Sequence, residues 1–231
     1  MKNRKKHLDV AQRNLIAFTT PRSLMSEQYR TLRTNINFSS IDQDIKSIVI
    51  TSAAPSEGKS TTASNLAIVY AQEGKNVLLI DGDMRRPTMH NTFNIRNIHG
   101  LSSVLSRQSS IESSVRVTAI NGLDILTCGP IPPNPAELLS SDSMDILIAK
   151  LKTMYDLLIF DSPPILSVAD SQILINKCDS AILVLSSGET VKHDAIKAKE
   201  IINSSKSKLL GVVLNNVTLS KKSMYNSYLE S

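Results

Sequence analysis

Apolar residues along this chain gather into short runs of Ile, Leu and Val separated by longer stretches with helical spacing. The runs KSIVIT (46–51), NVLLID (76–81), LDILT (123–127), DLLIFD (156–161), SAILVLS (180–186) and KLLGVVLN (208–215) are short and nearly continuous in apolar character, the mark of strands buried on both faces. Between them, 60–73, a broken region from Gly100 to about Val117, 134–155, 167–177 and 190–204 read as helices. The helix from 134 carries a start signal, with Asn134 as cap, Pro135 in the first turn and Glu137 closing a capping box. Upstream, SLMSEQYRTLRTNINFSS places Leu24, Met25, Leu32, Ile36 and Phe38 among polar residues, an imperfectly amphipathic helix with Ser26 as its expected N-cap. Alternating strands and helices predict an α/β fold, a doubly wound, mostly parallel sheet covered on both faces. No internal repeat or low-complexity linker divides the chain. The expected organisation is a polar arm over 1–22, one domain over 23–216 and a tail over 217–231.

Composition narrows the classes. With 231 residues, 41% of them hydrophobic, the chain has enough apolar surface for a core. It has no run near the ~20 apolar residues of a membrane-spanning helix. The start, Met1-Lys2-Asn3-Arg4-Lys5-Lys6, leads into polar residues and not an apolar signal core, so a cytoplasmic location is expected. Cys128 and Cys178 lack metal-ligand spacing and read as core residues in a reducing compartment. The net charge of +5 is concentrated at the front, where residues 1–33 hold eight Lys/Arg against Asp9 and Glu27. A basic arm suits nucleic acid, anionic lipid or a protein partner. The absence of Trp and the 4% aromatic content leave few stacking platforms, so no nucleic-acid partner is expected.

The sharpest local signal is Ala53-Ala54-Pro55-Ser56-Glu57-Gly58-Lys59-Ser60, between a predicted strand and a predicted helix. It approximates the phosphate loop G-x-x-x-x-G-K-[ST] with Ala53 in the first glycine position. In such a loop, backbone N–H groups and a helix N-terminus receive phosphate oxygens, a lysine neutralises them and a hydroxyl ligates Mg²⁺. A fold of P-loop NTPase type follows, with Ser56, Glu57, Gly58, Lys59, Ser60 and Thr61 as the nucleotide contacts. Two further strands deliver Asp81-Gly82-Asp83 and Asp161 at their C-terminal ends, where ligands gather in parallel sheets. Any one of these aspartates is explained as a helix cap or turn residue. Three of them beside a Lys-Ser loop suit a hard, oxygen-seeking cation, so Ser60, Asp81, Asp83 and Asp161 are the expected Mg²⁺ residues.

The strings TSAAPSEGKSTTASNLA, VLLIDGDMRRP, GPIPPNPAELL and LLIFDSPP together closely resemble the bacterial tyrosine kinases of capsule and exopolysaccharide synthesis, from about Met25 to the C-terminus. The MinD/ParA-like switch ATPases share the layout but carry a lysine where this chain has Ala54. A switch ATPase without kinase activity is the alternative reading. The resemblance implies that Lys59 and Ser60 bind ATP phosphates and Mg²⁺, and that Asp81 and Asp83 organise metal and activate a tyrosine hydroxyl. Asp161 would hold Mg²⁺ through its shell, and Asn215 would read adenine. A phenol of pKa near 10 needs a base at neutral pH, with Asp81 the first choice and Asp83 its rival. Arg85 or Arg86 reads either as a neutraliser of phosphate charge or as a solvated pair. By the same resemblance, Glu27, Arg30 and Arg33 pack subunits into a ring, and Tyr225 and Tyr228 accept phosphate from a neighbouring subunit. The resemblance further implies a kinase acting on protein tyrosines and a membrane-embedded activator that brings it to the inner face of the membrane.

Overall fold

A computed structural model describes residues 15–39 and 44–218. The six expected strands form, and in five of them β-branched and leucine side chains on both faces are buried. The strand over 208–215, expected to be buried on both faces, lies at the sheet edge with no residue fully buried and with Val212 and Leu214 exposed. The six are β1 (Ser47–Ser52), β2 (Val77–Asp81), β4 (Leu123–Leu126), β5 (Leu157–Asp161), β6 (Ser180–Ser186) and β7 (Lys208–Asn215). A seventh, β3 (Val115–Val117), lies inside the region read as broken helix. The sheet order is β3-β4-β2-β5-β1-β6-β7, with β3 antiparallel to β4 and every other pair parallel.

The period of two along the strands splits the core into two layers. Ile48, Ile50, Leu79 and Ile159 face α1 (Ile16–Thr19), α2 (Leu24–Ser39) and α3 (Lys59–Gln72). Val49, Leu78, Leu158 and Phe160 face the opposite layer. Short helices α4 (Met89–Thr92), α5 (Leu101–Leu105) and α6 (Ile111–Ser114) follow β2 in the chain, and α5 and α6 contribute to that opposite layer. It is completed by α7 (Pro135–Ser140), α8 (Asp142–Met154), α9 (Asp170–Lys177) and α10 (Lys192–Asn203). Cys128 and Cys178 are buried free thiols within it.

Four expectations change. The helix read over 134–155 breaks into α7 and α8 at Ser141, whose ψ of 155° is extended and lets both helices lay apolar faces on the core. Asn134 gives no side-chain cap to the backbone; its amide donates to Glu137 at 3.1 Å, so the capping box is a side-chain pair. Ser26 is a buried residue inside α2, its hydroxyl donating to the Thr20 carbonyl at 2.7 Å, while Ser23 takes the cap by accepting the Ser26 N–H. The arm expected over 1–22 ends earlier, because Leu15 and Ala17 are buried against α3. The Ala17 N–H donates to Asn65 and the Gln72 amide donates to the Ala17 carbonyl, both at 2.9 Å. Residues 1–14 lie outside the described part of the chain.

Candidate active site

The loop between β1 and α3 delivers its backbone to the N-terminal end of a 14-residue helix, where unpaired N–H groups and the helix dipole favour an anion. Two left-handed residues bend it, Ser56 with φ 65° and Gly58 with φ 93°. Gly58 is favoured by its left-handed backbone, which disfavours any L side chain, and a Cβ there, 2.0 Å from Asn215 Nδ2, would also displace that amide. The Lys59 ammonium donates to the Ser60 hydroxyl at 3.1 Å and stands 3.5 Å from Asp83 and 3.9 Å from Asp161.

The carboxylates come from the ends of adjacent strands, with Asp81 and Asp161 directly opposite each other in the β2–β5 register. Each of the three has a different setting. Asp81 is fully buried and accepts the N–H groups of Thr88 (3.1 Å) and Met89 (3.0 Å) on one oxygen. Asp83 accepts the Arg85 and Arg86 N–H groups at 3.3 and 2.9 Å, a turn that fixes its side chain towards Lys59. Asp161 is fully buried, and neither of its oxygens, nor Asp81 Oδ1, has a hydrogen-bond partner of ordinary geometry among the described residues. Burial raises the Asp161 carboxyl to about 6, with Lys59 and then the Ser60 hydroxyl pulling it down and Asp83 pushing it up. Burial first, and the Asp161 charge next, push Asp81 well above the carboxylate range, against the two backbone donors.

Buried oxygen atoms left without donors, set around one ammonium, suit a cation. Among the described residues no three His, Cys, Asp or Glu side chains converge as a ready-made metal cage. Mg²⁺ would not need such a cage, since it takes one or two carboxylates and completes its shell with water and phosphate. Ser60, Asp83 and Asp161 fit that requirement best, since all three stand within 4 Å of the Lys59 ammonium, at 3.1, 3.5 and 3.9 Å.

A pocket of about 640 Å³ opens over this cluster, with Lys59, Ser60, Asp83, Arg85, Arg86 and Pro163 among its lining residues. The two arginines separate in role. Arg85 grips the buried Asp170 with two hydrogen bonds, Nε at 2.8 Å and Nη2 at 3.0 Å, and so ties the Asp83 turn to the start of α9. Both arginines line the pocket, but Arg86 makes no ion pair among the described residues, whereas Arg85 is held by Asp170. Sequence reasoning missed Asp170, which reads there as an ordinary helix-opening acid.

Other expected residues lie elsewhere or face elsewhere. Glu57 is buried and directs its carboxylate away from the phosphate side, accepting the Ala54 N–H at 2.8 Å and the Thr190 hydroxyl. Asn215, at the end of β7, donates to the Glu57 carbonyl at 3.0 Å. On α2, Arg30 pairs with Glu27 at 2.7 Å and donates to the Pro21 carbonyl. Arg33 turns inward, donating to the Val69 carbonyl at 2.8 Å and standing 3.4 Å from Glu73. Tyr225 and Tyr228 lie outside the described residues.

The AAA domain family model matches residues 45–209. Tyrosine-protein kinase YwqD of Bacillus subtilis (strain 168) is 58% identical over 217 residues, covering 94% of this chain and 92% of that protein. The chain is a member of the bacterial tyrosine-protein kinase family. Tyrosine-protein kinase CpsD of Streptococcus agalactiae serotype III (strain NEM316) is 39% identical, over 83% of this kinase and 82% of the relative. Among solved structures, the chimerical protein CapA2B2 superposes with a TM-score of 0.87 at 45% identity, over 89% of this kinase and 91% of that chain. The septum site-determining protein MinD of Pyrococcus horikoshii OT3, complexed with Mg-ADP, superposes with a TM-score of 0.65 at 23% identity, over 77% of this kinase and 72% of that chain. That last likeness is one of fold. Among the described residues no helix is long and apolar enough to cross a membrane.

Proposed function

We propose that this kinase of capsular polysaccharide synthesis transfers the γ-phosphoryl group of ATP to Tyr225 and Tyr228 in the tail of a neighbouring subunit, and to tyrosines of other proteins. The observation that carries the reading is the buried Lys59–Asp83–Asp161 cluster at the foot of the pocket, in a chain so similar to a tyrosine-protein kinase. The loop over Ser56 to Thr61 receives the phosphates, Lys59 leaves its carboxylate partners for the transferring group, and Arg86 offers a guanidinium at the pocket mouth. Asn215, beside Gly58, is the residue for the base. Ser60, Asp83 and Asp161, with Asp81 behind them, would hold Mg²⁺, which supplies charge neutralisation on the phosphate oxygens.

The phenol proton passes to the Asp81–Asp83 pair, of which Asp83 lines the pocket. Proton transfer and positioning are the protein's share of a reaction whose transition state is mainly stabilised by charge. Glu27 and Arg30 on the outer part of α2 join subunits into a ring, and a membrane-embedded activator holds the kinase at the inner face of the membrane. The existence of CapA2B2 as a chimera of two named parts supports a partner of that kind.

A mixing experiment tests the transfer. Lys59→Met protein with an intact tail is combined with active protein carrying Tyr225→Phe and Tyr228→Phe, with ATP, Mg²⁺ and a candidate activator segment. Phosphotyrosine on the inactive chain is the expected result. ATP hydrolysis without phosphotyrosine on either chain would replace the reading with a switch ATPase.

A further inference from the structure

A glutamate is an odd component for a loop that must accept polyanions. Glu57 is 4% exposed and sits immediately before Gly58 and Lys59, so its charge is close to the place where phosphate would bind. Its two oxygens are committed elsewhere. One accepts the Ala54 N–H, which closes the loop upon itself across three residues. The other accepts the Thr190 hydroxyl from the turn between β6 and α10, a residue 133 positions away. Thr190 Oγ1 in turn accepts the Ser186 N–H at 2.8 Å.

The same turn continues the chain of contacts. Ser186 Oγ donates to Glu189 at 2.7 Å and accepts from the Asn216 amide at 2.9 Å. Asn215 donates to the Glu57 carbonyl, so the end of β7 and the turn after β6 grip the loop from the same flank. None of these residues except Glu57 and Asn215 was suggested by sequence.

We propose that Glu57 and Thr190 are a positioning pair: their contact keeps the phosphate loop in its anion-receiving curve, turns the glutamate charge away from the phosphates, and couples nucleotide occupancy to order in the 186–190 turn. This rests on the reading that the loop binds nucleotide phosphates. Thr190→Val removes the hydroxyl at nearly constant volume. The carboxylate is then left with the Ala54 N–H alone, and a charged group that loses one of two buried donors rotates towards whatever solvates it. Ser56 and Gly58, on either side of Glu57, line the open pocket, and a carboxylate turned into that pocket opposes phosphate.

The test measures binding of a fluorescent ADP analogue with Mg²⁺ to the full chain, with thermal unfolding confirming that each variant folds. Thr190→Val is expected to weaken binding about tenfold or more, the range for a hydrogen bond to a charged group. Thr190→Ser, which keeps the hydroxyl, should stay within about twofold of wild type, and Thr190→Ala serves in place of valine if that variant does not fold. In a Glu57→Gln background no charge remains to be steered, so adding Thr190→Val should cost under about twofold, a non-additivity expected only of interacting residues. Amide exchange across 186–190 should slow on adding ADP to wild type and not to Thr190→Val. Unchanged affinity in Thr190→Val, or an equal loss with Gln at position 57, would overturn the positioning role alone. Failure of wild type to bind the analogue would overturn the nucleotide reading and this inference with it.

Discussion

Asp161→Asn should make the nucleotide-free protein more stable at neutral pH while disabling it. The fold holds this carboxylate fully buried, with no well-formed hydrogen bond among the described residues and only a lysine 3.9 Å away as counter-ion. Its pKa rises from the ordinary 3.8 to about 6, so the folded state binds the proton more tightly than the unfolded chain does. Ionising the group therefore costs stability. The cost is absent below the unfolded value, grows as pH rises between 3.8 and about 6, and is complete above that. A rise of about two units at 1.36 kcal/mol per unit corresponds to about 3 kcal/mol at pH 7.5, and to roughly half of that at pH 5. Asparagine fills the same space without the charge and should recover most of it. Urea unfolding in the presence of a chelator, at pH 7.5 and pH 5, reads both values. With Mg²⁺ and ADP added the order should reverse, because the ligands stabilise only the protein that binds them. A variant less stable than wild type at pH 7.5, or a gain of the same size at both pH values, would refute the argument that a buried charge with one distant counter-ion is held here for the ligand.

The strands and the site's inventory were legible because both depend on short-range pattern. Leu78-Leu79-Ile80 and Leu158-Ile159-Phe160 can only be buried strands, and the aspartate that follows each stands at the ligand-binding edge of a parallel sheet. What each polar group touches was not legible, because the deciding partners lie far off in the chain. Arg85 and Arg86 are equivalent on paper and both line the pocket, until Asp170, 85 positions on, holds the first in an ion pair and leaves the second without one among the described residues. Glu57 sits within a phosphate loop in sequence, and Thr190 turns it outward. Element ends failed for a related reason. The single stretch 134–155 has good helical spacing throughout, yet the chain breaks at Ser141 into two helices, with Leu139 from the first and Met144 and Leu147 from the second all buried in one core. Val115–Val117 has too few residues for a strand signal and is one because Leu126, Ile125 and Asp124 offer it an edge.

Two predictions remain. Lys59→Met should lower tyrosine phosphorylation by about 10²–10³-fold or more while leaving the far-UV circular dichroism unchanged, since preorganised charge at the transferring group is worth that much and the ammonium faces the pocket; near wild-type phosphotyrosine would displace the site. The ring residues of α2 should divide by what they hold. The Arg33 side chain is only 17% exposed, and Arg33→Ala strips hydrogen bonding from the Val69 carbonyl and removes the contact with Glu73, so it should cost about 1–2 kcal/mol in urea unfolding. Glu27→Ala, at a side chain 64% exposed, should move stability by under about 0.5 kcal/mol. A ring built on α2 then requires that Glu27→Ala reduce the mass seen by light scattering without shifting the unfolding midpoint, a combination that an internal ion pair cannot produce. If the mass holds in Glu27→Ala and Arg30→Ala alike, Arg30 serves only to tie α2 to the Pro21 carbonyl, and subunits meet on another face.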